Sequence, residues 1–298
     1  MRHAHPPRPK SRSANRCDAR PSAPARLDIS QLLDSKPLSR TQILAVILTA
    51  LAMVSDGFDG QLIGYAIPAM MKDWGITKAA FAPVVAAGLI GMALGSTFGG
   101  LLGDRIGRKK ALLLSVLTFG TATALISLVQ DMNSLITLRL LAGLGIGGAL
   151  PCVSTLTAEF TPQRLRTTAV TLTIICYPLG GLLAGAFAQK VLPEAGWRQL
   201  FLLGGLLPLA YGAVLAAGLP ESPRFLARQA SRRDELHKLL ARMQMAVPSG
   251  QEVIDGAQAA GASVRASLAE LVSPARRLDT LPIWLGFFMV MQIGRAHV

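Results

Sequence analysis

Apolar residues fill long stretches of the chain, and short polar clusters separate one stretch from the next. Most stretches are close to the roughly 20 residues that a helix needs to cross a bilayer. They lack the alternation of apolar and polar positions that is typical of membrane-spanning strands. Because every backbone amide inside a bilayer needs an internal hydrogen-bond partner, the stretches predict helices. We place six transmembrane helices at residues 42–70, 81–103, 111–129, 134–158, 167–189 and 199–219.

The same pattern divides the chain into four parts. Residues 1–40 are rich in Arg, Pro and Ser and predict a disordered basic tail. Residues 41–219 form the six-helix transmembrane domain, and residues 220–280 form a polar loop in which an amphipathic helix on the membrane surface is predicted. Residues 281–298 begin a seventh helix that is incomplete, and we expect the segment from residue 293 to be artefactual because its apolar pattern breaks off abruptly.

Composition agrees with a membrane protein and changes the meaning of the net charge. Of 298 residues, 51% are hydrophobic and 16% charged, whereas soluble domains carry about 25% charged residues. A net charge of +13 would suggest a nucleic-acid partner for a soluble protein. Here the basic residues concentrate in the N-terminal tail and in alternate loops, which places those segments in the cytoplasm. We therefore expect a multi-pass protein in a lipid bilayer, with a cytoplasmic N-terminus and without a nucleic-acid partner.

Three charged residues fall inside the predicted helices. Asp56 and Asp59 lie in the first helix, and Arg139 lies about one turn inside the fourth. Since a charge at the bilayer centre costs about 2.5–3.5 kcal/mol on insertion scales, a transport role is the favoured interpretation. The aspartates are three residues apart and share a helix face, where two carboxylates in a dry environment cannot both ionise cheaply. We expect a proton-binding pair, with a merely structural pair as the alternative.

Arg139 has two possible roles and one alternative without function. Its permanent charge could compensate an aspartate or hold an anionic substrate. The alternative is an interfacial arginine whose side chain reaches outward to the headgroups.

An enzyme is disfavoured, because the histidines lie only in the tails and the loop and no metal-ligand or nucleophile motif occurs. We expect neither a metal nor a cofactor.

Glycines mark two of the predicted helices. In the second helix they recur at every fourth position and predict a ridge for close packing of a neighbouring helix. In the fourth helix they cluster before a proline, which suits either a moving element or ordinary tight packing. The residues are Gly91, Gly95, Gly99 and Gly103 in the second helix, and Gly143, Gly145, Gly147 and Gly148 before Pro151 in the fourth.

Several motifs resemble those of the major facilitator superfamily. GLLGDRIGRKKAL, which begins at Gly100, resembles the signature loop between helices two and three. RLLAGLG from Arg139 resembles the fourth-helix motif, and PESPR from Pro220 resembles the exit from the sixth helix. Within the superfamily, DGFD from Asp56 to Asp59 resembles the aromatic acid:proton symporter family, whose members import benzoate-type and hydroxybenzoate-type acids in bacteria.

The resemblance implies an all-α membrane protein in a bacterial inner membrane. The fold expected of the chain is the six-helix N-terminal half of a transporter, built from 3+3 inverted repeats and truncated in helix seven. The expected partners are an aromatic acid anion, a proton and the missing C-terminal six-helix half. The expected function is proton-coupled import by alternating access, with the truncated chain inactive by itself. A sugar or other metabolite:proton symporter is the alternative, because the PESPR motif is widely shared.

The resemblance also assigns roles to individual residues. It implies that both aspartates and Arg139 take part in transport. It implies that the signature loop controls the conformational cycle, and that the loop arginine pairs with an acid at the end of helix four. From the residues alone, Arg108 can bind a carboxylate in a bidentate manner, and charge that merely sets orientation is the alternative. The expected switch residues are Gly100, Asp104, Arg105, Gly107, Arg108 and Glu159. The candidates for lining the substrate pocket are Phe58, Tyr65 and Tyr177.

Overall fold

The computed structural model describes residues 26–34, 36–245, 252–254 and 282. The chain divides into two units, residues 1–254 and 255–298. All described residues except residue 282 belong to the first unit. The predicted seventh helix and the segment from residue 293 therefore lie outside the described residues, apart from that single position.

Long helices make up most of the first unit, and short elements lie on either side of them. A single turn of 3-10 helix (Lys78–Phe81) precedes α3. In chain order the elements are β1 (Arg26–Asp28), α1 (Ile29–Asp34), α2 (Arg40–Trp74), α3 (Ala82–Ile106), α4 (Arg108–Ile126), α5 (Met132–Phe160), α6 (Gln163–Gly218), α7 (Pro223–Ala227), α8 (Arg233–Arg242) and β2 (Glu252–Ile254).

Local sequence explains where the long helices begin and end. Ser39 starts α2 through a capping box, in which the Gln42 N–H donates to Ser39 Oγ at 3.3 Å and the Ser39 N–H donates to Gln42 Oε1 at 2.9 Å. Gly75 ends α2 in the left-handed region with φ of 66°. Asp131 starts α5 by accepting a hydrogen bond from the Ser134 N–H at 2.8 Å.

Five helices of the described residues, α2 to α6, are long and apolar enough to cross a membrane. The longest of them, α6, spans 56 residues and is interrupted at Gly196, whose φ of 75° and ψ of 178° are not helical. Only glycine adopts such a conformation without strain, so the chain turns there. The interruption separates α6a (163–195) from α6b (197–218), which correspond to the predicted fifth and sixth helices. The prediction of six membrane-spanning segments is confirmed.

The helices pack in a pattern that fits an inverted repeat. α2 packs along α6, α3 packs along α5, and α4 contacts both α5 and α6. In a 3+3 repeat, helices one and four are equivalent, and so are helices two and five. Helices one, two, four and five are α2, α3, α5 and α6a. The repeat therefore relates the packed pair of α2 and α6a to the packed pair of α5 and α3. The expected architecture of the six-helix half is therefore present.

Glycines allow the backbones of α3 and α5 to touch. A Cβ atom on Gly91 or Gly95 would collide with the backbone of Leu140 or Leu144 on α5. In return, Gly143 and Gly147 of α5 lie against the backbone of α3. The predicted ridge on the second helix is confirmed, and tight packing accounts for the glycine cluster of the fourth.

The N-terminal segment differs from its prediction. Residues 26–28 form β1, which pairs in parallel with β2 at residues 252–254. Residues 29–34 form α1, whose Ile29 and Leu33 are 0% and 1% exposed. The prediction of a disordered tail is therefore wrong for the described residues from 26 to 40. Burial of Ile29 and Leu33 in the core compensates the conformational entropy that is lost when this short segment becomes ordered. The high content of Arg and Pro in the tail hid this apolar pair from the sequence prediction.

The helix predicted in the polar loop is α8, and its apolar face is covered by protein. Leu236, Leu239 and Leu240 are buried in the same cluster as Ile29 and Leu33 of α1. The structure thus replaces the predicted contact with the membrane surface by burial in a protein core that also contains α1. An amphipathic pattern identifies a helix with one apolar face but does not say whether lipid or protein covers that face.

Candidate functional site

The charged residues of the first and fourth helices lie inside the bundle. Asp56 is 2% exposed, Asp59 is 0% exposed and Arg139 is 6% exposed. Arg139 therefore does not reach outward to an interface, which removes the alternative raised for it. The structure brings all three side chains together between α2 and α5.

The charges of this cluster are incompletely neutralised. Arg139 interacts electrostatically with Asp59, and Asp59 interacts with Asp56. In the described part of the chain, neither oxygen of Asp59 has a hydrogen-bond partner, and the same is true of Oδ1 of Asp56 and of Nε and Nη1 of Arg139. Buried polar atoms are nearly always hydrogen-bonded, so a group of unpaired ones marks a site that binds something or changes partners.

Close contact between α2 and α6a sets the geometry of the cluster. Gly57, between the two aspartates, lies against the backbone carbonyl of Tyr177, and Gly180 lies against the backbone of α2 at Val54 and Phe58. A side chain at either glycine would separate the helices. The glycines thus bring α6a next to the helix that carries both carboxylates.

The three pocket candidates have different surroundings. The Tyr177 hydroxyl lies over Gly60, 2.8 Å from where a Cβ would stand, and it interacts electrostatically with Asp56, Asp59 and Arg139. Tyr177 therefore belongs to the charge cluster. Phe58 is 8% exposed and packs on Phe187, with 5.5 Å between the ring centroids. Tyr65 is 42% exposed, and its hydroxyl donates to the Gly181 carbonyl at 3.4 Å. The structure joins neither Phe58 nor Tyr65 to the cluster.

Thr123 of α4 is a member of the cluster that sequence reasoning missed. It is fully buried, and its hydroxyl interacts with Asp59 without completing a hydrogen bond of regular geometry. Nothing in the sequence singles it out, because α4 is apolar on most of its surface and carries several threonines.

The signature loop between α3 and α4 forms a second cluster. Asp104, in the last turn of α3, and Arg108, the first residue of α4, form an ion pair across Gly107, and Arg108 Nη1 also donates to the Gly100 carbonyl at 3.5 Å. Gly107 has φ of 108°, a conformation that favours glycine, and it lies against the carboxylate of Glu221. Arg105 is exposed. The loop residues therefore form a tight turn at Gly107, and an ion pair between Asp104 and Arg108 stabilises it.

Glu159 does not pair with Arg108 as expected. Its Oε2 accepts a hydrogen bond from the Ser222 hydroxyl, and Arg108 acts on it only at longer range. Arg108 is instead engaged by Asp104, which lies four residues earlier, on the other side of the turn at Gly107. The predicted partnership of helix four with the loop arginine is absent between these described residues in this structure.

Glu221 is the acid that contacts the loop directly. Its Oε1 accepts hydrogen bonds from the N–H groups of Lys109 and Ser222, both at 3.0 Å. Lys109 lies in the first turn of α4, where backbone N–H groups lack helical partners and a carboxylate is favourable. The PESPR motif contains Glu221, but sequence reasoning assigned it no role.

Comparison with known proteins agrees with this architecture. A family model described as Major Facilitator Superfamily matches residues 49–296. The gallate transporter of Pseudomonas putida is 34% identical over 270 residues, which cover 91% of this chain and 60% of that protein. The 4-hydroxybenzoate transporter PcaK of Pseudomonas putida is 36% identical over 269 residues, which cover 90% of this chain and 60% of that protein. The chain thus spans 60% of the length of each of these relatives.

A solved structure supports the same fold. The xylose transporter XylE from E. coli, in a partially occluded inward-open conformation, matches with a TM-score of 0.58 and 21% identity. The match covers 68% of this chain and 54% of that one. At this level of identity the likeness concerns the fold alone. Together with the membrane-spanning helices and the match to the family model, it shows that the chain is a multi-pass membrane protein and belongs to the major facilitator superfamily.

Proposed function

We propose that the protein containing this chain is a proton-coupled importer of aromatic carboxylates of the benzoate and hydroxybenzoate type. The observation that carries the proposal is the buried cluster of two carboxylates and one guanidinium, Asp56, Asp59 and Arg139, with unpaired polar atoms. Charged groups inside membrane helices are expensive and usually functional. The names of the two Pseudomonas putida relatives, a gallate and a 4-hydroxybenzoate transporter, support the substrate class.

Charge balance suggests how the cluster couples a proton to transport. With both carboxylates ionised, Asp56 and Asp59 together carry two negative charges against the single positive charge of Arg139. One proton makes the cluster neutral. Because uncompensated charge is expensive to bury, the protonated cluster is the one that tolerates complete enclosure when the transporter changes state. Proton binding thereby permits the conformational step.

The substrate anion changes the net charge of the cluster by binding to Arg139. A guanidinium donates charge-assisted N–H bonds to a carboxylate, and Nε and Nη1 of Arg139 have no partner among the described residues. A substrate carboxylate that engages Arg139 removes its charge from Asp59, which then takes up a proton. Starting from the neutral, singly protonated cluster, one anion and one further proton thus enter together, and the enclosed site stays electrically neutral.

The loop cluster is proposed to control which side of the protein is open. The Asp104–Arg108 pair and the bonds of Glu221 to the start of α4 lie at one end of the helices. Ion pairs near a surface contribute little stability each, so they break and reform readily as the two halves of a transporter rock. The basic character of this loop supports a cytoplasmic location, with the N-terminus on the same side, in a bacterial inner membrane.

Uptake measurements test the proposal. Cells that express the full reading frame containing this chain are expected to accumulate labelled 4-hydroxybenzoate, and a protonophore is expected to abolish the accumulation. Unlabelled benzoate and gallate should compete, whereas xylose should not. Accumulation that persists with the protonophore would contradict proton coupling. Competition by sugars without competition by aromatic acids would favour the sugar symporter instead.

A further inference from the structure

The hydroxyl of Thr123 is unusual among the threonines of the long helices. A threonine inside a membrane helix ordinarily satisfies its hydroxyl by donating to the carbonyl four residues earlier. Threonines that do so here are Thr97, Thr118, Thr121, Thr137, Thr155 and Thr173. Among the described residues, Thr123 is the one buried threonine whose hydroxyl has no hydrogen-bond partner.

Packing explains the direction in which Thr123 lies. Ser115, Phe119 and Thr123 are spaced four residues apart and form one stripe of α4. Ser115 Oγ lies against Gly148 of α5, and the backbone of Phe119 lies against Gly145. Later residues of this stripe on α4 thus face earlier residues of α5. Thr123, the next residue of the stripe, therefore lies toward Arg139 and the Asp59 carboxylate. The electrostatic contact between Thr123 and Asp59 is the result.

We propose that Thr123 is a positioning residue for proton binding, whose hydroxyl donates to Asp59 when that carboxyl is ionised and releases it when the proton arrives. The inference rests on the proposed proton coupling and adds a specific donor to it. A side chain with a free hydroxyl beside an unpaired carboxylate can form that bond by rotating about a single torsion. Back-bonding to the carbonyl of Phe119 offers the hydroxyl an alternative partner in the protonated state.

The Thr123 hydroxyl is a neutral donor for the ionised form of Asp59, whereas the other neighbours of Asp59 are charged or titratable. Asp56 faces it from α2, Arg139 from α5 and Tyr177 from α6a. α4 contributes the Thr123 hydroxyl. When Arg139 engages the substrate anion, the hydroxyl is the group that can still stabilise an ionised Asp59. It therefore helps to set the pH at which the site gives up its proton.

Variants at Thr123 test this role through the pH dependence of uptake. Thr123→Val keeps the shape of the side chain and removes the hydroxyl, so the carboxylate loses a donor to its ionised form. The half-maximal point of 4-hydroxybenzoate uptake against external pH should then move upward by about one unit, the shift expected when a carboxylate loses one hydrogen bond. Thr123→Ser retains the hydroxyl and should retain the midpoint of the unmodified protein.

Two further variants separate positioning from packing. Thr121→Val removes an exposed hydroxyl of the same helix that donates to Leu117, and its midpoint should not move. Thr123→Ala lacks the hydroxyl and the branch, so its midpoint should move as far as that of Thr123→Val. Immunoblots of membranes correct each uptake rate for the amount of protein.

The outcomes distinguish this inference from the proposed function. A hydroxyl-free variant that reaches the membrane and keeps the original midpoint overturns the role of Thr123, even where the unmodified protein takes up aromatic acids with protons. Loss of rate without any shift shows a packing role and overturns it as well. If the unmodified protein shows no effect of a protonophore, the proposed coupling itself fails.

Discussion

The contact between α3 and α5 offers a prediction whose size can be worked out from the structure. Gly95 lies against Leu144, and a Cβ built on Gly95 would stand 2.8 Å from the Leu144 carbonyl carbon and 2.9 Å from its Cα. Carbon atoms in good contact are about 3.5–4.0 Å apart. The Leu144 carbonyl oxygen lies nearer still. Gly95→Ala therefore requires the two helices to separate by at least about 1 Å, because backbone atoms cannot rotate away as a flexible side chain can.

The energetic consequence follows from two opposing effects. Overpacking in a well-packed interior costs about 1–3 kcal/mol, and alanine recovers up to about 1 kcal/mol over glycine within a helix. The net expectation for Gly95→Ala is a loss of about 1–2 kcal/mol in the free energy of unfolding. Gly64 is the matched control, because it is an exposed glycine of α2 with nothing within 4 Å of its Cβ position. Gly64→Ala should be neutral or stabilising.

Thermal unfolding of the detergent-solubilised protein, followed by loss of a monodisperse peak in size-exclusion chromatography, provides the measurement. Gly95→Ala should lower the midpoint temperature, and Gly64→Ala should leave it unchanged or raise it. Equal midpoints for the two variants would refute the assignment of Gly95 to a backbone contact. A larger residue, as in Gly95→Leu, should reduce the amount of folded protein in the membrane further.

Three further predictions concern charged groups. Asp59→Asn should abolish proton-coupled uptake and leave membrane insertion intact, since the amide cannot exchange the proton; unchanged uptake at all pH values would refute the role. Glu221→Gln should lower the free energy of unfolding by about 1–2 kcal/mol, because its charged acceptor for the Lys109 N–H is lost; an unchanged thermal midpoint would refute this. The backbone N–H and hydroxyl of Ser134 hold the pKa of Asp131 below its usual value. The stability that these bonds add is present at pH above the ordinary pKa of an aspartate and is lost as the pH falls through the lowered pKa of the folded state. Asp131→Ser should therefore lose less thermal stability on acidification than the unmodified protein. Equal losses in the two proteins would contradict this role of Asp131.

Prediction of the helices succeeded wherever apolar length was the deciding property. The six segments were recognised because each is close to or longer than the roughly 20 apolar residues that span a bilayer, and this requirement does not depend on neighbours. The boundary between the last two was less accurate. A loop was expected over residues 190–198, whereas the helix continues to residue 195 and is interrupted by the single conformation of Gly196. Whether a glycine interrupts a helix depends on the packing around it.

The three buried charges were located from the sequence, whereas two neutral or surface partners were not, and the roles of all of them stay predictions. Asp56, Asp59 and Arg139 were found because charge is conspicuous in an apolar stretch. Thr123 was not found, because hydroxyls are common in membrane helices and an almost uniformly apolar helix carries no periodic signal of its inner face. Glu221 was not found either, because the contact between its carboxylate and the start of α4 spans 112 residues of sequence.

The sequence by itself determined that this is a helical membrane protein, how many segments cross the bilayer, and which three charges lie within it. These properties follow from the exclusion of water by lipid, which acts on each segment separately. Tertiary structure alone decided that Glu159 bonds to Ser222 rather than to Arg108, that the apolar face of α8 is buried in the protein core, and that Thr123 lies beside Asp59. Each of these depends on which faces of two distant segments meet, because hydrogen bonds, ion pairs and close packing act only over a few ångströms.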